Sequence, residues 1–416
     1  MPLNYSKVFH EIQNFAGGAA LLRREREKQQ DEALELLRGW GEKAQDLRYR
    51  VALAAEIADY VHLAAPTEEP INATFPPPPT ENCAERVLFL AADGSQIEPN
   101  PHAALFYGLV NVGVVVMAGH ETPRTLIESN FYDPETLLES RPDIPLQRDL
   151  AERRALAKAL AAWRGEANSK EEWRGLMAHL PQPEVVVTLT DGPLELWGAK
   201  DATGGFAEAL KEYLTSLRSL LAAHRQAPPA VLTAGYVDKP HADLVVQLLR
   251  LAAIGETAKP EEIKAELERR PPRFAAISDA ALFRRLLAPG ERSAIFSLVS
   301  RSREDYTGDL ALHFFYLNAS PTTGHAAIAR VEIPAWVAKD PAAVQTLHAA
   351  LLWQARHVPN APYPYILHRA HEEAVVRRGD RETVERWLIT ALAENNVPLG
   401  SRSAKQILKD LTANSA

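Results

Sequence analysis

Two short, largely apolar runs, each closed by the pair Asp-Gly, limit this chain more than any other feature. The first is Val87-Leu88-Phe89-Leu90-Ala91-Ala92-Asp93-Gly94 and the second is Val185-Val186-Val187-Thr188-Leu189-Thr190-Asp191-Gly192. Continuous apolar runs of this kind read as buried strands. A glycine behind each aspartate lets the backbone turn at once, so each strand is expected to end on its carboxylate. Asp-Gly is also ordinary turn punctuation, and one such ending by itself carries no chemistry. A second copy changes the reading. The runs lie too far apart to be one hairpin, and if they neighbour each other in one sheet, their ends bring Asp93 and Asp191 together. Close carboxylates repel unless a cation or a proton sits between them. Oxygen donors suit Mn²⁺ or Mg²⁺, and sites of that sort carry out phosphoryl transfer.

Around these runs the pattern predicts α/β order, with strands and helices mixed around one sheet. Further strands are expected over 104–118, 230–237, 293–300, 310–318 and 326–333. Helices are expected over 145–163, 206–224, 242–254, 341–356, 364–378 and 380–394. Residues 18–64 read as one or two long helices, because Leu37, Trp40, Ala44, Leu47, Val51, Ala54, Ala58 and Val61 recur in steps of three and four. That stripe either packs on its own domain or forms a dimer or partner surface. Thr67 to Thr80 holds five prolines, with Pro76 to Pro79 consecutive, and reads as a stiff extended linker. The organisation expected is therefore an N-terminal helical segment over 1–65, a Pro-rich linker over 66–80 and a globular domain over 81–416, with a charged helical insertion at 258–290.

Composition narrows the classes. The 416 residues are 46% hydrophobic, enough for a sizeable core. The single cysteine, Cys83, excludes an internal disulfide and a Cys-rich zinc site, and fits a reducing, cytoplasmic setting. The N-terminus shows no basic-then-apolar signal pattern. No run of about 18 apolar residues is present, so no membrane span is expected. A net charge of −8 argues against a protein that coats nucleic acid by bulk positive charge. It leaves room for a nuclease whose acidic site is neutralised by metal. The absence of GxxxxGK[ST], GxGxxG and GxSxG removes P-loop, dinucleotide-binding and α/β-hydrolase readings.

Three further groups stand out. Glu152 lies on the helix between the two Asp runs, where it either completes a metal shell or pairs with Arg148 on the surface. His368 and His371 share a helix face at i and i+3, without the HExxH order of a zinc site. His371 either packs, or orients a phosphate and moves a proton. Tyr236, at another strand end, either stacks on a base or packs.

The ordered motifs resemble the NurA domain family. They are Ala92-Asp93-Gly94-Ser95-Gln96-Ile97, Asn111-Val112-Gly113, Thr190-Asp191-Gly192-Pro193-Leu194 and Ala234-Gly235-Tyr236-Val237, followed by Gly290-Glu291-Arg292-Ser293, Phe314-Phe315-Tyr316-Leu317, Arg330-Val331-Glu332-Ile333-Pro334-Ala335-Trp336, Tyr363-Pro364 and Ala370-His371-Glu372. The resemblance implies a ribonuclease-H-like core and a Mn²⁺-dependent 5′–3′ DNA exonuclease that also cuts single strands internally. It further implies a homodimer that docks on the hexameric HerA ATPase in DNA end resection. Asp93 and Asp191 fall on the family's metal ligands, and Glu152 on its helical glutamate. Tyr363 and His371 fall on its late tyrosine and histidine, with Tyr365 competing for the tyrosine position. The reading from another class is a catalytically silent adaptor that caps a DNA translocase ring.

Overall fold

The computed structural model describes residues 3–58, 60–166, 168–196, 205–226, 228–255, 258–322, 326–358 and 361–397. The chain divides into two compact units: Met1–Pro78 with Tyr236–His348, and Pro79–Gly235 with Ala349–Ala416. In chain order the elements are α1 (Tyr5–Gly39), α2 (Ala44–Ile57), β1 (Leu63–Pro66), β2 (Thr74–Phe75), α3 (Cys83–Arg86), β3 (Val87–Ile97), β4 (Gly108–Ala118), β5 (Arg124–Tyr132), α4 (Pro134–Glu139), α5 (Ile144–Trp163), α6 (Glu171–Leu176), β6 (Val185–Asp191), α7 (Gly205–Gln226) and β7 (Ala230–Val237). They continue with α8 (Leu244–Ala252), α9 (Pro260–Glu268), α10 (Asp279–Phe283), β8 (Arg292–Ser293), β9 (Phe296–Val299), β10 (Leu312–Asn318), β11 (Ile328–Pro334), α11 (Ala335–Ala338), α12 (Pro341–Ala355), α13 (Tyr365–Ala374) and α14 (Arg378–Glu394).

In the first unit, the N-terminal apolar stripe packs on its own core. Leu37, Trp40, Leu47, Val51 and Ala54 are buried in one cluster with Leu248, Phe283, Phe296 and Tyr316. Phe283 stacks on Tyr316 at 4.5 Å between ring centroids. The helical run stops at Ile57 instead of continuing to residue 64, because the next apolar residues pair as β1 with β9, Leu63 opposite Val299. The Pro-rich stretch expected as a linker holds strand β2 and a buried Ile71. It is tied down by Glu69, which takes the Arg292 guanidinium at 2.9 and 3.1 Å and the Ile295 amide at 2.7 Å. Residues 258–290 hold the short helices α9 and α10, and Ile263, Phe274, Leu282 and Phe283 bury the segment in the same core. The first half of α1 is different. Tyr5, Phe9, Ile12, Phe15, Leu21 and Leu22 are all exposed along it.

The second unit is built on a mixed sheet in the order β7-β6-β3-β4-β5. β3, β4 and β5 form an antiparallel meander, and β6 joins the other side of β3 in parallel. This is a ribonuclease-H-like arrangement. Helices cover both faces, and side-chain alternation along β3 shows which helix lies where. Leu90, Ala92, Gly94 and Gln96 point towards α5. Phe89, Ala91, Asp93 and Ser95 point the other way, where Phe89 stacks on Trp353 of α12 at 5.4 Å. α7 packs on α5.

Two strand expectations need correction. β3 does not turn at Asp93-Gly94 but runs on to Ile97, because β4 pairs with it along the whole length, Asp93 opposite Gly113 and Ile97 opposite Leu109. β5 has no counterpart in the sequence reading. All of its residues are exposed or half-buried, and its strand identity comes from pairing with β4.

Candidate active site

Asp93 sits on a rung inside a continuous ladder, and it is 8% exposed. Its Oδ1 accepts the amide of Gly94 at 2.8 Å, and its Oδ2 lies 2.8 Å from Nδ1 of His371 on α13. A carboxylate only accepts, so the Nδ1–H donates and Nε2 is left facing outward. The His371 side chain is 61% exposed. The helix that carries it is fastened to the sheet by polar side chains. The Asn111 amide donates to the Ala374 carbonyl at 2.8 Å, and the Ser95 hydroxyl donates to the same oxygen. Ser95 Oγ in turn accepts the Val376 amide at 3.0 Å, and Ser129 donates to Asn111 Oδ1 at 2.6 Å.

β6 brings the second aspartate. Ala91 pairs with Leu189 and Ala92 with Thr190 in parallel register, so the next step along both strands places Asp191 beside Asp93. Adjacent strands lie about 4.8 Å apart, and residues in parallel register point to the same face. Asp191 is exposed and is the last residue of its strand. The chain turns at Gly192, whose φ of +91° favours a residue without Cβ. The turn expected after an aspartate is therefore present at Asp191 and absent at Asp93.

Glu152 is not a surface residue. It is 4% exposed and lies on α5, across β3 from the Asp93 side chain. A Cβ on Gly94 would lie 2.7 Å from Glu152 Oε1 and 2.6 Å from Arg148 Cγ, so the missing side chain is what lets α5 come this close. Burial pushes the Glu152 carboxyl well above the ordinary carboxylate range. The nearby Asp93 and Asp149 charges push the same way, and Arg153 and Arg148 oppose them. Arg148 Nε is 3.4 Å from Glu152, while its terminal nitrogens reach Asp149 at 2.6 Å and Gln96 at 2.9 Å.

The remaining candidates divide. Tyr363 is half-buried just ahead of α13, with its amide donating to the Ala361 carbonyl at 2.7 Å. Tyr365 opens α13. His368 is half-exposed and 3.5 Å from Glu372 on its own helix. Tyr236 is 1% exposed, so it packs and does not present a ring to a base.

The NurA domain model matches residues 87–376, which begin with β3 and end just past α13. The chain belongs to the NurA domain family. Asp93, Asp191 and His371 all lie within the matched residues. The NurA nuclease of Sulfolobus solfataricus is 13% identical, with 88% of this chain and 97% of that one covered and a TM-score of 0.42. The catalytic domain of human endonuclease V is 14% identical, with 83% and 98% covered and a TM-score of 0.29. A search of the curated proteins finds no match.

The donor set of this NurA domain suits a hard divalent cation. Two carboxylates in register on one face offer only oxygen, and such ions commonly bind through one or two carboxylates plus substrate phosphates. Among the described residues, no three His, Cys, Asp or Glu side chains are already gathered to hold an ion together. The placement of Glu152 across β3 is consistent with that. Sequence reasoning missed the residues that hold the site's parts, Ser95, Asn111 and Ser129. Their signal was polar side chains inside otherwise apolar strand runs.

Proposed function

We propose that this chain is a Mn²⁺-dependent DNA nuclease, with Mg²⁺ as the other ion its carboxylates suit. In this reading it degrades DNA ends 5′–3′, cuts single strands internally and acts in end resection as a homodimer on a HerA-type hexameric translocase. The observation that carries the metal-nuclease reading is the parallel register of β3 and β6, whose last pair, Ala92 with Thr190, directly precedes Asp93 and Asp191 within a NurA domain. The polarity and the partner rest on the family resemblance.

Asp93 and Asp191 would hold the ion, and Glu152, behind β3, would add negative charge only in its ionised form, which burial disfavours. A bound ion of this class supplies Lewis-acid stabilisation of the phosphate and a more acidic water. The chain's own work is orientation and proton transfer. Asp93 fixes the His371 ring through Nδ1, and the outward Nε2 exchanges a proton on the phosphate side. Tyr363 stands at the start of the segment that carries His371 and would contact the DNA strand.

A second reading keeps the fold and drops the chemistry, leaving an adaptor that docks on a translocase ring. The exposed apolar residues on the first half of α1 favour it. One assay separates the two. Labelled single-stranded DNA is incubated with the protein and Mn²⁺, with and without chelator. Chelator-sensitive cleavage that is lost in Asp93→Ala and Asp191→Ala supports the nuclease. No cleavage by the wild type, or normal cleavage by either variant, overturns the assignment.

A further inference from the structure

The turn that follows Asp191 lies in a built socket. The Arg153 guanidinium, on a residue 5% exposed, donates from one terminal nitrogen to the Pro193 carbonyl at 2.6 Å. Its other terminal nitrogen donates to the Asp149 carbonyl within α5 at 2.7 Å, so the guanidinium bridges the helix and the turn. The same guanidinium lies over the Tyr213 ring of α7, 5.0 Å from its centroid. The Tyr213 hydroxyl, on a residue 1% exposed, donates to the Leu194 carbonyl at 2.7 Å. From β7, Gly235 leaves the floor open, since a Cβ there would lie 2.6 Å from the Gly192 carbonyl oxygen and 2.9 Å from the Leu194 nitrogen. Three elements thus grip three consecutive residues, Gly192, Pro193 and Leu194.

We infer that Arg153 and Tyr213 are positioning residues for the metal site, and that by clamping this turn they set where the Asp191 carboxylate stands relative to Asp93. Asp93 depends less on such aid, because it lies in mid-strand and the β3–β4 ladder continues past it to Ile97. Asp191 is the last residue of β6, so its carboxylate is only as well placed as the turn behind it. A buried guanidinium is costly unless its N–H groups find acceptors, and the Pro193 carbonyl of the turn is one of the two carbonyls that accept from it. The inference rests on the metal reading proposed above.

The test is direct Mn²⁺ binding to the full chain by calorimetry, with no DNA and no turnover. Tyr213→Phe removes one hydroxyl, and Arg153→Lys replaces the planar fork by a point charge. Tyr107→Phe is the control, since it strips a hydroxyl from another buried tyrosine, one that reaches Glu385 instead of the turn. Loss of one anchoring hydrogen bond is expected to weaken Mn²⁺ binding about fivefold in Tyr213→Phe and at least as much in Arg153→Lys. Tyr107→Phe should bind as the wild type does. Wild-type binding in Tyr213→Phe overturns the inference even if Arg153→Lys fails to fold. Equal weakening in Tyr107→Phe overturns it too, by showing a general loss of stability. A wild type that takes up no Mn²⁺ overturns the metal reading itself, and the inference with it.

Discussion

Gly113 lies directly opposite Asp93 in the β3–β4 ladder, and the backbone of α13 occupies the space where its side chain would stand. A Cβ there would be 2.7 Å from both the Ala370 oxygen and the Ala374 nitrogen. Helix backbone cannot yield as a side-chain tip can. Gly113→Ala should therefore cost about 1–3 kcal/mol of stability and lift His371 off Asp93. Denaturant unfolding measures the first effect, and the His371 ring resonances report the second. Unchanged stability would show that α13 does not rest on this glycine.

Gly94 offers a contrast on the other face of the sheet. There an added methyl meets side chains, Arg148 Cγ at 2.6 Å and Glu152 Oε1 at 2.7 Å. Both can shift, so Gly94→Ala should destabilise less than Gly113→Ala while pushing the Glu152 carboxylate away from β3. Paired unfolding curves for the two variants give the order, and the reverse order would contradict the packing described for α5 and α13.

Removing either in-register carboxylate should abolish cleavage while leaving the fold in place. In Asp93→Asn and Asp191→Asn, activity should fall roughly 10³-fold or more, the scale of losing several kcal/mol of charge stabilisation. Asp191 is exposed, so its variant should unfold at the wild-type temperature. Mn²⁺ should raise the melting temperature of the wild type and of neither variant. A metal-induced shift that survives in both would place the ion elsewhere.

Glu152→Gln tests the buried carboxyl on α5. Desolvation favours its neutral form, so an uncharged isostere should cost little stability, within about 1 kcal/mol. If its negative charge supports the ion from behind β3, Mn²⁺ affinity should drop in the same variant. Titration of metal against both proteins decides this, and equal affinities would leave Glu152 with a packing role.

A pH effect is expected in the other unit. Asp279 is fully buried, and burial raises its carboxyl from 3.8 to about 7 even though the Tyr316 hydroxyl and the Val245 and Val246 amides donate to it. The folded state thus holds this proton more tightly than the unfolded chain. The contribution to stability is complete below about pH 4, falls as pH rises towards about 7, and is flat above. Denaturant midpoints between pH 4 and 8 should slope downwards from this group in the wild type, and the slope should be shallower in Asp279→Asn. Parallel curves would mean that Asp279 is not what titrates.

The parts of this fold that could be read from residues are those whose burial is uniform. β6 and β7 are continuous apolar runs, and their spans match the sequence reading. The helices α5 and α7 show their apolar faces at helical spacing in the same way. What could not be read depends on partners distant in the chain. Asp93-Gly94 looks like a turn until β4 is known to pair beyond it. β5, with Ile127 and Phe131 exposed, has no apolar face of its own to announce it. The contact between His371 and Asp93 joins residues 278 apart, which no local pattern encodes. Glu152 sits among arginines in the sequence, and its burial follows from the missing side chain at Gly94.

The two aspartates are mounted differently, one in mid-strand on the β3–β4 ladder and the other at the end of its strand, in front of a clamped turn. Shifting the first means bending the sheet. Shifting the second means moving the Gly192–Leu194 turn against its Arg153 and Tyr213 anchors. On the proposed metal reading, adjustment to a larger ion would fall on the Asp191 half, and substitutions that retune this centre without breaking the fold should cluster around that turn.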